Sequence, residues 1–176
     1  MTNVGKGAVA MLTLYFDLDG VLANYEAGVR AHGVPYVPMG KSTPKDTATM
    51  YGQLSKIPHF FYTLPPIAGT VQLFMQLKTQ YHCEILTAIP KPRWGFVGAA
   101  EDKCAWVAHY LGAGVKVNVV TREDKLKFCK GKDCVLIDDM QLNVDAWNAA
   151  GGTGILFTDP ITLVKQLPVV INGLTK

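Results

Sequence analysis

Short apolar runs alternate with amphipathic segments along most of this chain. The apolar runs are "LTLYF" (12–16), "CEILT" (83–87), "VKVNVV" (115–120), "CVLID" (134–138) and "GILF" (154–157). Segments 69–81, 101–112 and 141–151 carry apolar residues at helical spacing, and the last two end at glycine. Strands that are apolar throughout and separated by helices are typical of a parallel sheet covered on both faces. The pattern therefore predicts an α/β fold with a doubly wound parallel sheet.

Residues 24–66 interrupt this rhythm. The segment is rich in proline and small polar residues and has no strand-like run. About 40 residues without βα content inside a compact fold are more often a functional lid than a slack loop. We therefore expect a small, mainly helical cap over 24–66, inserted after the first strand, with 12–23 and 67–176 forming the core. The sequence leaves open whether the aromatic residues of this segment close over a site or pack on the sheet: Tyr25, Tyr36, Tyr51, Phe60, Phe61 and Tyr62.

Composition and charge narrow the class of protein. With 176 residues, 49% hydrophobic and 18% charged, the chain is long and apolar enough for one globular domain. A formal net charge of +3 is too small to indicate a polyanion-binding surface, so we do not expect nucleic acid as a partner. The sequence has no stretch of about 18 apolar residues that could span a membrane, and its start lacks the pattern of a secretion signal. We therefore expect a cytoplasmic protein with no membrane partner.

Cysteine and tryptophan positions indicate a packed interior. The four cysteines form no C-x-x-C pair, and three of them lie in or beside apolar segments: Cys83, Cys104, Cys129 and Cys134. Reduced, buried thiols are the expectation. Trp106 and Trp147 lie within amphipathic helical segments and are expected in the core, whereas the sequence leaves the place of Trp94 open.

Polar side chains follow the predicted strands at the points where the strands end. They are Asp17 and Asp19, Thr87, Lys125, and the pair Asp138 and Asp139. Because the carboxyl ends of parallel strands meet at one edge of a sheet, we expect these groups to converge there. Carboxylates that crowd together raise each other's pKa unless a cation neutralises them. Oxygen ligands favour Mg²⁺, which together with Lys125 would neutralise a bound phosphoryl group.

Four motifs in order resemble those of the haloacid dehalogenase (HAD) superfamily of phosphotransferases. They are "DLDGV", "ILTAIP", the lysine of "TREDK" and "LIDD". Within that superfamily, "DLDGVLANYEAGV", "FFYTLPPIAGTVQLFMQLK", "EDKCAWVAHYLG" and "VVTREDK" resemble 5′-nucleotidases of the 5′(3′)-deoxyribonucleotidase type. The likeness runs from about residue 12 to about residue 150. It implies a Rossmann-like HAD core with a small cap.

The resemblance implies catalytic roles for Asp17, Asp19, Thr87 and Lys125. Asp17 would be the nucleophile that forms an aspartyl-phosphate. Asp19 would protonate the leaving nucleoside oxygen and then activate the hydrolytic water, while its backbone carbonyl faces the metal. Thr87 would donate a hydrogen bond to a phosphoryl oxygen, and Lys125 would pair with the nucleophile and the phosphate.

The resemblance also implies a metal site and a substrate site. The Mg²⁺ ligands would come from Asp17, Asp19, Asp138 and Asp139. Asp139 is favoured over Asp138 for direct contact, although the sequence barely separates them. Substrate contacts would come from Thr87, Ala88, Lys91, Lys103 and Phe61. The implied reaction is Mg²⁺-dependent hydrolysis of (deoxy)ribonucleoside monophosphates to nucleoside and phosphate. The oligomeric state stays open, and it includes a homodimer.

Departures from the family pattern keep other interpretations open. Ala88 stands where family members usually have Ser, Glu123 is an extra residue before Lys125, and segment 90–99 is longer than expected. One alternative is a HAD phosphatase for another small phosphomonoester, such as a sugar phosphate. Another is a non-catalytic phosphate-binding protein phosphorylated on Asp17. A nucleotide-sugar transferase that uses D-x-D would leave Thr87 and Lys125 without a role.

Overall fold

The fold is a parallel sheet with helices on both faces. The computed structural model describes residues 12–38 and 41–175, and within those residues it has five strands and six α-helices. The strands are β1 (Thr13–Phe16), β2 (His82–Ala88), β3 (Val117–Val120), β4 (Cys134–Asp138) and β5 (Thr153–Leu156). The helices are α1 (Tyr25–Ala31), α2 (Pro44–Leu54), α3 (Ala68–Leu77), α4 (Ala99–Leu111), α5 (Gln141–Ala149) and α6 (Pro160–Leu174). Two short 3₁₀ helices cover Pro92–Trp94 and Glu123–Phe128.

The order of the strands places the candidate residues at one edge. The order is β3-β2-β1-β4-β5, and all neighbouring pairs are parallel. Phe16 at the end of β1 is in register with Ile85 of β2 and Ile137 of β4. Connections leave β1 and β4 toward opposite sides of the sheet, and that point is where a doubly wound sheet forms its ligand crevice.

Each face of the sheet has its own apolar core. On one face α3, α4 and α6 pack with residues such as Phe16, Phe74 and Trp106. On the other face Trp147 of α5 packs with Tyr15, and the ring centroids are 5.7 Å apart. Trp106 and Trp147 are both fully buried, so their predicted core positions are confirmed. Burial of both faces explains why the strands read as uninterrupted apolar runs, and it confirms the doubly wound α/β fold.

The segment between β1 and α3 is helical, as the sequence predicts. The Asn24 side chain accepts a hydrogen bond from Ala27 N–H and begins α1. Thr43 and Asp46 form a capping box around Pro44 at the start of α2. Phe60 and Phe61 are buried, Tyr62 is exposed, and the three other tyrosines of the segment are half-buried against the core. The division into a core and a cap over 24–66 stays a prediction.

One expectation from the sequence is wrong, and one helix was not predicted. Cys104 is exposed and the other three thiols are only half-buried, so the prediction of buried thiols is wrong, although all four are free. The sequence pattern also gave no indication of α6. Its buried residues Leu163, Leu167 and Ile171 recur every fourth position, but exposed Ile161 and Val169 and an internal Pro168 obscure this period. None of the described helices has the length and hydropathy that a membrane crossing requires.

The packing beneath α5 can be tested at Gly152. A Cβ on Gly152 would lie 2.5 Å from Trp147 Cδ1 and 2.6 Å from Cys129 Sγ, so Gly152→Ala must displace the indole. We expect a loss of about 1–3 kcal/mol in the free energy of unfolding, measured by chemical denaturation. Gly52→Ala in α2 is the matched control because a Cβ there meets no atom within 4 Å. It should stabilise the helix by about 0.5–1 kcal/mol, and equal effects of the two substitutions would contradict this account of the packing.

Candidate active site

The turn after β1 presents two carboxylates at the carboxyl edge of the sheet. Asp17 N–H donates to Ile137 O of β4 at 2.9 Å, which fixes Asp17 between the two central strands. The carbonyl of Leu18 accepts hydrogen bonds from the next turn of backbone, including Ala23 N–H at 2.8 Å. Gly20 has φ of +81°, and a Cβ there would collide with Oδ2 of Asp139. Glycine is therefore required at this position, both for the turn and for the approach of Asp139.

Lys125 joins the carboxylates of β1 and β4. Its Nζ lies 2.7 Å from Asp138 Oδ2 and 3.1 Å from Asp17 Oδ1, and the side chain is buried. Burial lowers the pKa of Lys125, but Asp17 and Asp138 outweigh it and hold that pKa above its usual value. The lysine therefore stays charged. The 3₁₀ helix Glu123–Phe128 accommodates the extra Glu123 without moving Lys125 away from the site.

Asp138 has two structural roles at once. Its Oδ1 accepts hydrogen bonds from Met140 N–H and Asn143 Nδ2, each at 2.9 Å, at the start of α5. Its Oδ2 binds Lys125. Burial, followed by the charge of Asp17, raises the pKa of Asp138. Asn143 was not predicted from the sequence, although its position in the first helical turn after the acidic pair was an available signal.

Asp17, Asp138 and Asp139 together fit a divalent cation. Among the described residues these three offer carboxylate oxygens that all lie within 4.8 Å of one another. The pKa of Asp139 is raised to about 8 by desolvation and by the charges of Asp17, Asp138 and Asp19. The single positive charge of Lys125 is not enough to neutralise these three acids. An all-oxygen set of this kind suits Mg²⁺.

The carboxylate of Asp19 lies apart from this group and binds a second lysine. Lys103 of α4 is fully buried, and its Nζ donates to Asp19 Oδ2 at 2.6 Å and to Thr87 Oγ1 at 3.0 Å. The same ammonium lies 4.7 Å from the centre of the Phe61 ring. The family resemblance implied only a substrate contact for Lys103, whereas the structure places it beside the predicted acid and the predicted phosphate-binding hydroxyl.

One oxygen of Asp19 has no hydrogen-bond partner among the described residues. Oδ1 is the atom concerned, and it is buried within the described part of the chain. Desolvation raises the pKa of Asp19; Lys103 opposes this rise and Asp17 adds to it, so that the pKa remains above its usual value. A carboxyl group with a raised pKa and an unpaired oxygen is suited to carry a proton to a ligand.

Aromatic side chains lie near Asp19. The Tyr51 ring packs edge-on against Trp94 at 5.3 Å and against Phe96 at 5.6 Å between centroids. Burial raises the pKa of Tyr25, with further contributions from the neighbouring Tyr51 and from Asp19. These rings form an apolar wall that comes from α1, α2 and the connection after β2.

The other two predicted substrate contacts are more exposed than Thr87, Lys103 and Phe61. Ala88 is the last residue of β2 and is half-buried. The Lys91 side chain is 58% exposed, and its Nζ pairs with Glu123 Oε1 at 3.2 Å. The structure therefore does not bring Lys91 into the cluster of Asp19, Thr87 and Lys103.

Comparisons with known proteins agree with this geometry. Residues 37–165 match the sequence model of the family "5' nucleotidase, deoxy (Pyrimidine), cytosolic type C protein". A protein of Vibrio phage KVP40 named "Putative 5'(3')-deoxyribonucleotidase" is 27% identical over 131 residues, which cover 74% of this chain and 67% of the phage protein.

Solved structures share the fold at lower identity. A hydrolase from Streptococcus pneumoniae TIGR4 is 18% identical with a TM-score of 0.56, and the match covers 90% of this chain and 98% of that chain. The HAD-hydrolase YfnB from Bacillus subtilis, described as bound to magnesium, is 14% identical with a TM-score of 0.53 over 84% of this chain and 88% of its own.

Replacing Asp139 tests the electrostatics of the acidic group. Its pKa of about 8 in the fold lies far above the value of about 3.9 for an unfolded chain. The folded state therefore binds more protons between these values, and the stability of the metal-free protein falls as pH rises toward 8. With EDTA present, Asp139→Asn should unfold at higher denaturant than the parent at pH about 9, by about 1–2 kcal/mol after allowance for solvent screening.

The advantage of Asp139→Asn should shrink toward pH 5, because the parent carboxyl is then protonated in the fold. The control is Asp145→Asn in α5, where the carboxylate is exposed and accepts from Gln141 Nε2. That control should show no such trend. If the parent became more stable relative to Asp139→Asn as the pH rises, that result would contradict the raised pKa.

Proposed function

The chain belongs to the 5′-nucleotidase, deoxy (pyrimidine), cytosolic type C family and is a phosphomonoester hydrolase, and we propose that it hydrolyses deoxyribonucleoside monophosphates through an aspartyl-phosphate on Asp17. The observation that carries the proposal is the convergence on Asp17. Lys125 Nζ lies 3.1 Å from its Oδ1, and oxygens of Asp138 and Asp139 lie within 4.8 Å.

Asp17 is the proposed nucleophile. Leu18 N–H and Lys125 both contact Oδ1, which orients the carboxylate, so we assign Oδ2 to the attack on phosphorus. The attack forms an acyl phosphate and breaks the bond between phosphorus and the nucleoside oxygen. The leaving oxygen then requires a proton.

Asp19 is the proposed acid and base. Its raised pKa favours the protonated form that the first step needs, and its unpaired Oδ1 is available to the leaving oxygen. After it has donated the proton, the carboxylate removes one from water, which attacks the phosphorus and returns Asp17 and inorganic phosphate. Lys103 holds the other oxygen of Asp19 throughout.

Positive charge and a hydroxyl group would receive the phosphoryl oxygens. Thr87 Oγ1 and the ammonium groups of Lys103 and Lys125 lie at the same edge of the sheet. Asp17, Asp138 and Asp139 would hold Mg²⁺, with the backbone carbonyl of Asp19 as a further candidate ligand. The bound cation would neutralise charge on the phosphoryl group. The magnesium described in the Bacillus hydrolase of the same fold supports this choice.

A nucleotide is the proposed substrate because aromatic rings lie beside the site. Tyr51 and Trp94 offer ring faces and edges on which a base can stack, and Phe61 lies deeper, beside Lys103. The name of the phage relative supports deoxyribonucleotides as the first choice. Other small phosphomonoesters, such as sugar phosphates, would leave this aromatic wall without a partner.

Asp17→Asn should abolish turnover without unfolding the protein. We expect phosphate release from dUMP or dTMP with Mg²⁺ to fall at least about a thousandfold, because the amide cannot act as the nucleophile. Asp145→Asn is the control and should keep the parent rate. Phosphate release by Asp17→Asn at a rate near that of the parent would exclude the mechanism. Faster turnover of sugar phosphates than of all nucleotides in the same panel would exclude the substrate class.

Removing and restoring Mg²⁺ should change both the activity and the stability of the protein. EDTA should abolish activity and added Mg²⁺ should restore it. Mg²⁺ should also raise the free energy of unfolding, by about 2.7 kcal/mol when its concentration is 100 times Kd. The same addition should give no stabilisation in Asp139→Asn. Stabilisation of that variant equal to the parent's would exclude Asp139 as a ligand.

A further inference from the structure

His59 has a backbone conformation that is uncommon for residues other than glycine. Its φ is +53°, and among the described residues it is the one non-glycine with positive φ. A side chain with a Cβ adopts this region at a cost in free energy, and histidine does so less readily than glycine. A contact elsewhere must therefore hold His59 in place.

The contact is a hydrogen bond to the start of α4. His59 Nδ1 lies 2.8 Å from Asp102 Oδ1, and because a carboxylate accepts, the imidazole N–H donates. The His59 side chain is 77% exposed, whereas that of Asp102 is 6% exposed. The buried carboxylate thus has its partner in a surface residue of the neighbouring segment. Asp102 immediately precedes Lys103 in the chain.

His59 begins a turn that covers residues 59–64. A second hydrogen bond attaches the other end of this turn to α4. Trp106 Nε1, one helical turn after Asp102, donates to Leu64 O at 2.8 Å. Between these two attachments the backbone closes on itself, since Tyr62 N–H donates to His59 O at 3.0 Å. Residues 59–64 are therefore fixed to α4 at both ends.

Along the chain, Phe61 lies between His59 and Leu64. Lys103 lies between the partners of these two residues on α4, Asp102 and Trp106. The Phe61 ring is buried and 4.7 Å from Lys103 Nζ, which is itself fully buried. The ring covers the ammonium where it binds Asp19 and Thr87. Exclusion of water strengthens both interactions, because charges attract more strongly in a medium of low dielectric constant.

We propose that His59 is a positioning residue, whose hydrogen bond to Asp102 holds Phe61 over Lys103 and so keeps water from the Lys103–Asp19 pair. His59 itself touches neither Asp19 nor Thr87 and acts only through the turn. The consequence for turnover rests on the proposed function, but the cover over Lys103 does not.

Two substitutions at position 59 distinguish the effect of the hydrogen bond from the effect of the backbone conformation. His59→Gly removes the imidazole and relieves the positive φ, so any loss arises from the missing bond. His59→Asn also tolerates positive φ, and its Nδ2 stands where Nδ1 stands in histidine, so it can donate to Asp102. His59→Asn is therefore the conservative variant, which we expect to keep the hydrogen bond to Asp102 and the protection of Lys103.

Lysine labelling measures the cover directly. The folded Mg²⁺-loaded protein is methylated with limiting formaldehyde and dimethylamine-borane, and modification of each lysine is quantified by mass spectrometry. In His59→Gly we expect Lys103 to be labelled about tenfold faster than in the parent, which corresponds to about 1.4 kcal/mol of closure free energy. Lys125 is the internal control because it is also buried but pairs with Asp17 and Asp138 instead of Asp19, and its labelling should not change.

Further variants test whether loss of the His59–Asp102 hydrogen bond causes the change in labelling. Asp102→Ala should expose Lys103 as His59→Gly does, and the double variant should add no further labelling, since both remove one bond. His59→Asn should label as the parent does. With dUMP, His59→Gly should lower kcat/KM and His59→Asn should restore it.

Three outcomes would overturn the proposal. These are unchanged Lys103 labelling in His59→Gly, equal increases at Lys103 and Lys125, and His59→Asn labelling like the glycine variant. A parent protein inactive on dUMP would remove the proposed function, while the labelling would still decide the role of His59.

Discussion

Crowded negative charge at one edge of the sheet is the constraint on which the rest of the structure depends. Asp17 and Asp19 come from the end of β1, and Asp138 and Asp139 come from the end of β4. Burial, followed by repulsion from the neighbouring carboxylates, raises the pKa values of Asp19, Asp138 and Asp139. The fold supplies compensation in the form of buried lysines and a site that fits a cation.

The two lysines divide the acids into pairs with different chemistry. Lys125 lies between Asp17 and Asp138 and keeps the first of these oriented by its Oδ1. Lys103 lies on the other side and holds one oxygen of Asp19, leaving the other unpaired. This arrangement separates the group proposed to attack from the group proposed to move protons. Similar carboxylates can take different roles because their neighbours differ.

The sequence predicted the sheet and the central residues of the site more completely than the outer ones. Thr87 and Lys125 follow apolar strands, and a parallel sheet must bring such positions to one edge. Lys91, whose substrate contact stays a prediction, pairs with Glu123 on the surface, whereas Lys103 is buried beside Asp19. Nothing in the local sequence distinguishes Lys91 from Lys103, because whether a lysine on a helix or loop points inward depends on the packing of that element.

By itself the sequence determined the parallel α/β fold, the order of its strands along the chain and the acids and Thr87 at their ends, since apolar periodicity and motif spacing are local properties. Only the tertiary structure decided that Lys103 binds Asp19, that Lys125 also binds Asp138, that Asn143 supports Asp138, and that His59 donates a hydrogen bond to Asp102. Those contacts join residues distant along the chain or on different elements. Side-chain direction and burial there follow from how helices and turns pack on the sheet, and no local pattern records that packing.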